Sequence, residues 1–129
     1  MTTAEIGKKG EKLAANFLKR NGYKILERNL HQSHNEIDII ASNKEYIVFV
    51  EVKTRTANKD LFLPYGSPAT AVTKEKQKRT VRAATNYLLT QSKKAKEKQP
   101  RMDVIEVYLE KETGKLLEIN HITDAFGAR

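Results

Sequence analysis

Ile47-Val48-Phe49-Val50-Glu51-Val52-Lys53 reads as an interior strand whose last three residues bring two charges into an apolar run. Upstream, Glu36-Ile37-Asp38-Ile39-Ile40 repeats the pattern, with a carboxylate set between isoleucines. An unpaired carboxylate in such a place costs roughly several kcal/mol unless a partner offsets it or it takes up a proton. Side chains alternate along a strand, so Glu51 and Lys53 share a face with Phe49, and Glu36 shares one with Asp38. Two adjacent strands can therefore aim two carboxylates and an amine at one point, and a divalent cation is the simplest compensation.

The elements around these strands follow from local signals. Thr2 and Glu5 form a capping box opening a helix to about Asn21, where Gly22 supplies the stop. Its inward stripe is Ile6, Gly10, Leu13, Ala14 and Phe17. Glu11 lies at the shoulder of that stripe, and Gly7 and Gly10 would allow another backbone to come close. Strands are expected over 23–29, 36–41 and 46–54, with turns between them. Residues 56–72 carry Pro64 and Pro68 around Gly66 and show no period, which places a long loop at the mouth of the site. A second helix over 73–90 puts Val81, Ala84 and Leu88 inward and Lys74, Lys78, Arg79 and Arg82 on one outward basic face. Gln77 falls on the inward stripe and needs a hydrogen-bond partner. After a Lys-rich connector over 92–100, strands follow over 101–109 and 115–120, ahead of a short C-terminal segment.

The order αβββαββ defines an α/β fold with a mixed central sheet flanked by helices. At 129 residues the chain suits one domain spanning 1–129. It has 39% apolar and 31% charged residues, a soluble globular composition, with no bilayer-length run and no signal-peptide core; a cytoplasmic location without membrane partners is expected. With no cysteine, disulfides, thiolate metal sites and cysteine nucleophiles are excluded. The net charge of +8 is concentrated, because residues 74–101 hold ten Lys or Arg against two Glu while the rest of the chain has fourteen of each sign. Such a surface suits a polyanion bound through its phosphates, and it equally suits a solvated helix face followed by a charged linker.

Phosphodiester hydrolysis needs an activated water, neutralised phosphoryl oxygens and help for the leaving oxygen. Mg²⁺, with Mn²⁺ as a substitute, supplies all three and requires only one or two protein carboxylates, here Asp38 and Glu51. Lys53 is placed to orient or deprotonate the water, or to stabilise charge at phosphorus. Arg55 follows as a phosphate-contact candidate and, at a strand end, equally as a surface residue.

The ordered set of a helical Glu, an Asp, a Glu-x-Lys and a polar helix resembles the PD-(D/E)XK nuclease superfamily, and archaeal Holliday-junction resolvases in particular. Gly10-Glu11, Glu36-Ile37-Asp38, Phe49 through Arg55, Arg101-Met102-Asp103-Val104-Ile105 and His121 through Phe126 resemble the bacterial YraN-like family over nearly the whole chain. Ile37 stands where the superfamily has proline, Asn35 where the family often has glycine, and Val81 where related nucleases have tyrosine after the helix polar residue. The resemblance implies a restriction-endonuclease-like core, Asp38, Glu51 and Glu11 as an acidic metal-binding cluster, Lys53 as the catalytic amine and Gln77 as a supporting residue. It also implies DNA, including branched DNA, as partner, for which a two-fold dimer would suit paired scissile strands. A nucleic-acid-binding module without turnover, a purely structural protein, and a buried ion-pair network at Asp38, Glu51 and Lys53 are the competing readings. His31, His34 and His121 show no zinc spacing and read as loop or turn residues. Tyr65 and Tyr87 are candidates for base stacking, Tyr87 more naturally for packing.

Overall fold

The computed structural model describes residues 1–32, 35–58, 72–91 and 96–127. Residues 59–71 of the Pro-containing loop, with Tyr65, together with His34 and residues 92–95 of the connector, lie outside them. Seven elements follow the expected order: α1 (Thr3–Arg20), β1 (Lys24–Gln32), β2 (Asn35–Ser42), β3 (Tyr46–Ala57), α2 (Lys74–Leu89), β4 (Gln99–Glu110) and β5 (Leu116–Phe126). The strands form one sheet in the order β1-β2-β3-β4-β5, antiparallel throughout except for the β3–β4 pair. That parallel step is why α2 intervenes, since a parallel partner needs a crossover. The mixed sheet and its two helices are compatible with a restriction-endonuclease-like core.

The helices cover opposite faces. Ala14, Ala15 and Leu18 of α1 pack on Ile39, Ala41, Val48, Val50, Ile105 and Val107. Ala83, Ala84 and Tyr87 of α2 pack on Ile37, Ile40, Ile47, Phe49 and Met102. Covered on both sides, β3 and β4 read as nearly continuous apolar runs. Glu5 N–H donates to Thr2 Oγ1 at 3.1 Å and Thr2 N–H to Glu5 Oε1 at 2.9 Å, closing the expected capping box. Gly22, at φ +88°, ends α1 in the left-handed conformation that glycine adopts without strain.

Four expectations are corrected. The α1 core line is Gly10, Ala14, Ala15 and Leu18, rotated slightly from the predicted stripe. A Cβ on Gly10 would overlap the Thr54 side chain, whereas one on Gly7 would meet nothing within 4 Å, so only Gly10 serves close approach. In α2 the buried line is Thr80, Ala83, Ala84 and Tyr87, one residue out of phase with the predicted Val81, Ala84 and Leu88. The small Ala83 and Ala84 bring the helix near the sheet, and Thr80 Oγ1 satisfies itself on the Lys76 carbonyl at 3.0 Å. Finally, β1 and β5 run well past their predicted ends. Asn29 at φ 53° and Asp124 at φ 52° interrupt the alternation that marks a strand, yet pairing continues beyond Asn29 to Gln32 and beyond Asp124 to Phe126.

Candidate functional site at the strand fork

Strands β2 and β3 pair from Ser42↔Ile47 to Ile39↔Val50, and there the ladder stops. Asp38 and Glu51 are the next residues on each strand. The N–H of Val52, which an unbroken ladder would direct to a β2 carbonyl, instead donates to Asp38 Oδ2 at 2.8 Å. Asp38 thus replaces backbone pairing at a fork between strands. Its carboxyl and that of Glu51 lie close enough to act on each other electrostatically.

The electrostatics are those of two carboxyls that cannot both ionise freely. Burial first, and then the neighbouring Glu51, push Asp38 up to about 7, against the pull of the Val52 N–H and Lys76. Burial likewise raises Glu51, while Lys76 and Lys53 draw it down. Lys53 therefore stands in the field of Glu51 but makes no ion pair with any described residue within 4.0 Å. Lys76 does: its Nζ lies 3.7 Å from Glu51 Oε1. Sequence reasoning missed Lys76 because of the phase error in α2. One turn before the buried Thr80, it projects toward the sheet, while Gln77 is turned aside.

On the α1 side, a cleft of about 280 Å³ lined by Thr3, Gly7, Glu11, Asn29, Glu36, Asp38 and Thr54 opens beside the fork. Glu11 thus reaches the same cleft as Asp38, but its Oε1 accepts from Arg28 Nε at 3.2 Å and Asn29 Nδ2 at 2.9 Å. This departs from the expected three-carboxylate cluster. Among the described residues no set of three or more His, Asp or Glu side chains is arranged to hold a metal ion. The donors that do come together, Asp38 and Glu51, are hard oxygen ligands of the number that a hydrated Mg²⁺ or Mn²⁺ uses.

The remaining predicted residues separate into two groups. Lys74, Lys78 and Arg82 are exposed on the outer face of α2, and Arg79 there is paired with Glu75 at 2.7 Å. Gln77 donates from Nε2 to the Val72 carbonyl at 2.9 Å, a structural bond at the entry to α2. Arg55 is not at a strand end, since β3 continues to Ala57; it is half-buried beside Tyr108, and its Nε is buried without a hydrogen-bond partner among the described residues.

A second polar cluster lies across the sheet. Asp103 is fully buried and accepts from Arg101 Nε and Nη2, both at 2.8 Å, and from the Asp124 N–H at 3.0 Å; His121 Nε2 lies 2.7 Å from its Oδ2. Burial alone would raise its pKa, but the hydrogen bonds from His121, Arg101 and Asp124 hold it below the usual carboxylate value. Arg101 also bonds Tyr23 Oη at 2.6 Å and lies over the Tyr46 ring. Every member is occupied by another, so this is a clasp tying β4 and β5 to the turn between α1 and β1. His121, expected in a loop or turn, is a strand residue whose partner is this carboxylate. Tyr87 packs edge-on against Phe49, as a core residue.

The fold and the fork define a mixed α/β protein with neighbouring carboxyls where two strands part, one of them lining a cleft. Residues 10–107 match the uncharacterised protein family UPF0102, and the chain belongs to that family, the YraN-like family of the resemblance above. Among its relatives, a UPF0102 protein of Caldanaerobacter subterraneus subsp. tengcongensis is 47% identical over 94% of this chain and 93% of its own length. Another, of Clostridium perfringens, is 46% identical over the same shares, and one of Caldicellulosiruptor saccharolyticus is 43% identical over 98% of this chain and all of its own.

Proposed function

We propose that this protein is a PD-(D/E)XK-type nuclease of the cytoplasm that hydrolyses phosphodiester bonds of DNA, branched DNA included, with Mg²⁺ or Mn²⁺ held by Asp38 and Glu51. The observation that carries the reading is the Asp38–Glu51 pair itself. Two carboxyls forced together at a strand fork, each raised by burial, make a site whose charge a divalent cation would relieve. When bound, such an ion would supply an acidified water and neutralise phosphoryl charge.

The chain's own residues then divide the work. Lys53, on the same face of β3 as Glu51 and free of ion pairs with described residues, would orient or deprotonate the water, or hold charge at phosphorus. Lys74, Lys78 and Arg82 would hold the backbone of the substrate without reading bases. Glu11 would shape the cleft through its bonds to Arg28 and Asn29. Asp38→Asn, Glu51→Gln and Lys53→Ala are each expected to abolish cleavage of labelled junction, flap and linear DNA in Mg²⁺ while leaving binding largely intact. Cleavage retained in all three would refute the assignment.

A second reading, a DNA- or RNA-binding module without turnover on the same fold, is favoured by the engagement of Glu11 away from the pair. The same panel, with RNA added and run with Mg²⁺, Mn²⁺ and chelator, separates the two, because binding without metal-dependent products belongs only to the second.

A further inference from the structure

Lys76 is the one cation that α2 brings within ion-pair distance of the fork among the described residues, and its placement is not accidental. Its backbone N–H donates to the N-cap Thr73 Oγ1 at 3.1 Å, and the next residue, Gln77, anchors the helix entry on the Val72 carbonyl. Val72 is itself buried against Val104. The first turn of α2 is thus pinned, and the Lys76 stem starts from a fixed point. The ammonium, by contrast, is loosely held. Its 3.7 Å separation from Glu51 exceeds ordinary hydrogen-bond length, and the side chain is 38% exposed against 10% for Glu51. A tether that is rigid at its base and free at its tip can leave the carboxylate at little cost.

We propose that Lys76 is the resident counter-cation of the Asp38–Glu51 pair, displaced from Glu51 when a divalent cation binds and then free to meet a phosphoryl oxygen of the substrate. This rests on the metal-dependent reading above and adds a regulatory step to it. An ammonium and a divalent ion that draw on the same carboxylate compete, so Lys76 weakens metal binding in the free protein. With substrate present the freed ammonium gains a phosphate partner, which couples metal and DNA binding.

The test is a calorimetric titration of Mn²⁺ into the full chain at low salt, comparing wild type with Lys76→Gln and with Lys44→Gln, exposed in the turn between β2 and β3, as a control. Lys76→Gln is expected to bind Mn²⁺ about three- to tenfold more tightly, as loss of a partly exposed competing ion pair allows, with Lys44→Gln unchanged. In Ca²⁺, Lys76→Gln is expected to bind labelled junction DNA about two- to fivefold more weakly, and Lys76→Arg to restore it. Unchanged or weaker Mn²⁺ affinity in Lys76→Gln overturns the competition, and unchanged DNA affinity overturns the transfer to phosphate. Wild-type protein that binds Mn²⁺ but cuts no DNA sinks the hydrolytic reading and leaves this one standing. A flat Mn²⁺ comparison sinks this one even where cleavage is observed.

Discussion

Replacing Asp38 by Asn should stabilise the metal-free protein at alkaline pH, the reverse of what removing a buried charged residue usually does. The folded value of about 7 stands well above the usual 3.8, so between about pH 4 and 7 the folded chain retains a proton that the unfolded chain has released. Stability therefore falls as pH rises through that window, and above about pH 7 the whole cost is present. At ~1.4 kcal/mol per pH unit the gap amounts to ~4 kcal/mol, and solvent reaching a half-buried carboxyl leaves ~2 kcal/mol. Asparagine keeps the geometry: its Oδ1 can accept from the Val52 N–H and its Nδ2 can donate to Glu51. For a chain of this size, ~2 kcal/mol corresponds to a rise of about 6–10 °C in Tm. Thermal unfolding followed by circular dichroism in EDTA, at intervals from pH 4 to 9, should show the advantage growing to about pH 7 and then holding level. Saturating Mg²⁺ should raise the wild-type Tm and not that of the variant, closing the gap. A variant less stable than wild type at pH 8, or an advantage independent of pH, would refute the account of the pair.

Other outcomes follow from the same contacts. Gly10→Ala should destabilise by about 2 kcal/mol in urea unfolding, because its Cβ overlaps Thr54, and Thr54→Gly should recover most of the loss; a neutral Gly10→Ala would deny the close approach of α1 to β3. Asp103→Asn should cost about 3 kcal/mol, since it leaves Arg101 and His121 without their shared carboxylate. Because the Asp103 pKa is lowered, its contribution is present above the usual carboxylate range and is lost as pH falls through the lower folded value, a slope opposite to that of Asp38. Lys78→Gln and Arg82→Gln should each lower the salt dependence of DNA binding by about one unit of slope with little change in metal affinity; identical salt plots would remove α2 as the phosphate-binding face.

The fold was legible because the sequence states it in local terms. The Thr2–Glu5 box, Gly22 and the doubly apolar runs at 37–41 and 47–52 each admit one local structure, and together they dictate the element order. Asp38 and Glu51 stood out for the same reason, as charges in runs where burial forbids them. What was hidden depended on three-dimensional detail that periodicity blurs. A one-residue rotation of α2, enforced by Ala83 and Ala84 against Phe49, exchanged Lys76 for Gln77 as the residue facing the fork. Glu11 could be placed at the edge of the core, but not its capture by Arg28 and Asn29, which lie within the expected first strand and meet the helix residue only once α1 packs across it. The Arg101–Asp103–His121 clasp was visible only as a motif, because its members meet across strands.

The fork also constrains how any loss of function can be interpreted. Asp38 is at once the candidate metal ligand and the acceptor that replaces a missing ladder bond to Val52. Asp38→Ala would remove both, leaving the Val52 N–H without its partner at a cost of roughly 1–3 kcal/mol. Inactivity of that variant would say nothing about chemistry. Asp38→Asn removes the charge alone, and Glu51, which caps no backbone group in the observed bonding, can be neutralised as Gln without disturbing the ladder. The same duality explains why an acidic residue is tolerated there. An apolar residue would orphan the N–H, and a hydroxyl would reach less far, so the acceptor that closes the fork is also one that can carry a charge. Its proximity to Glu51 makes that charge costly in the absence of a cation. The site is thus built from a structural requirement, and the metal dependence we propose would follow from the electrostatics of meeting it.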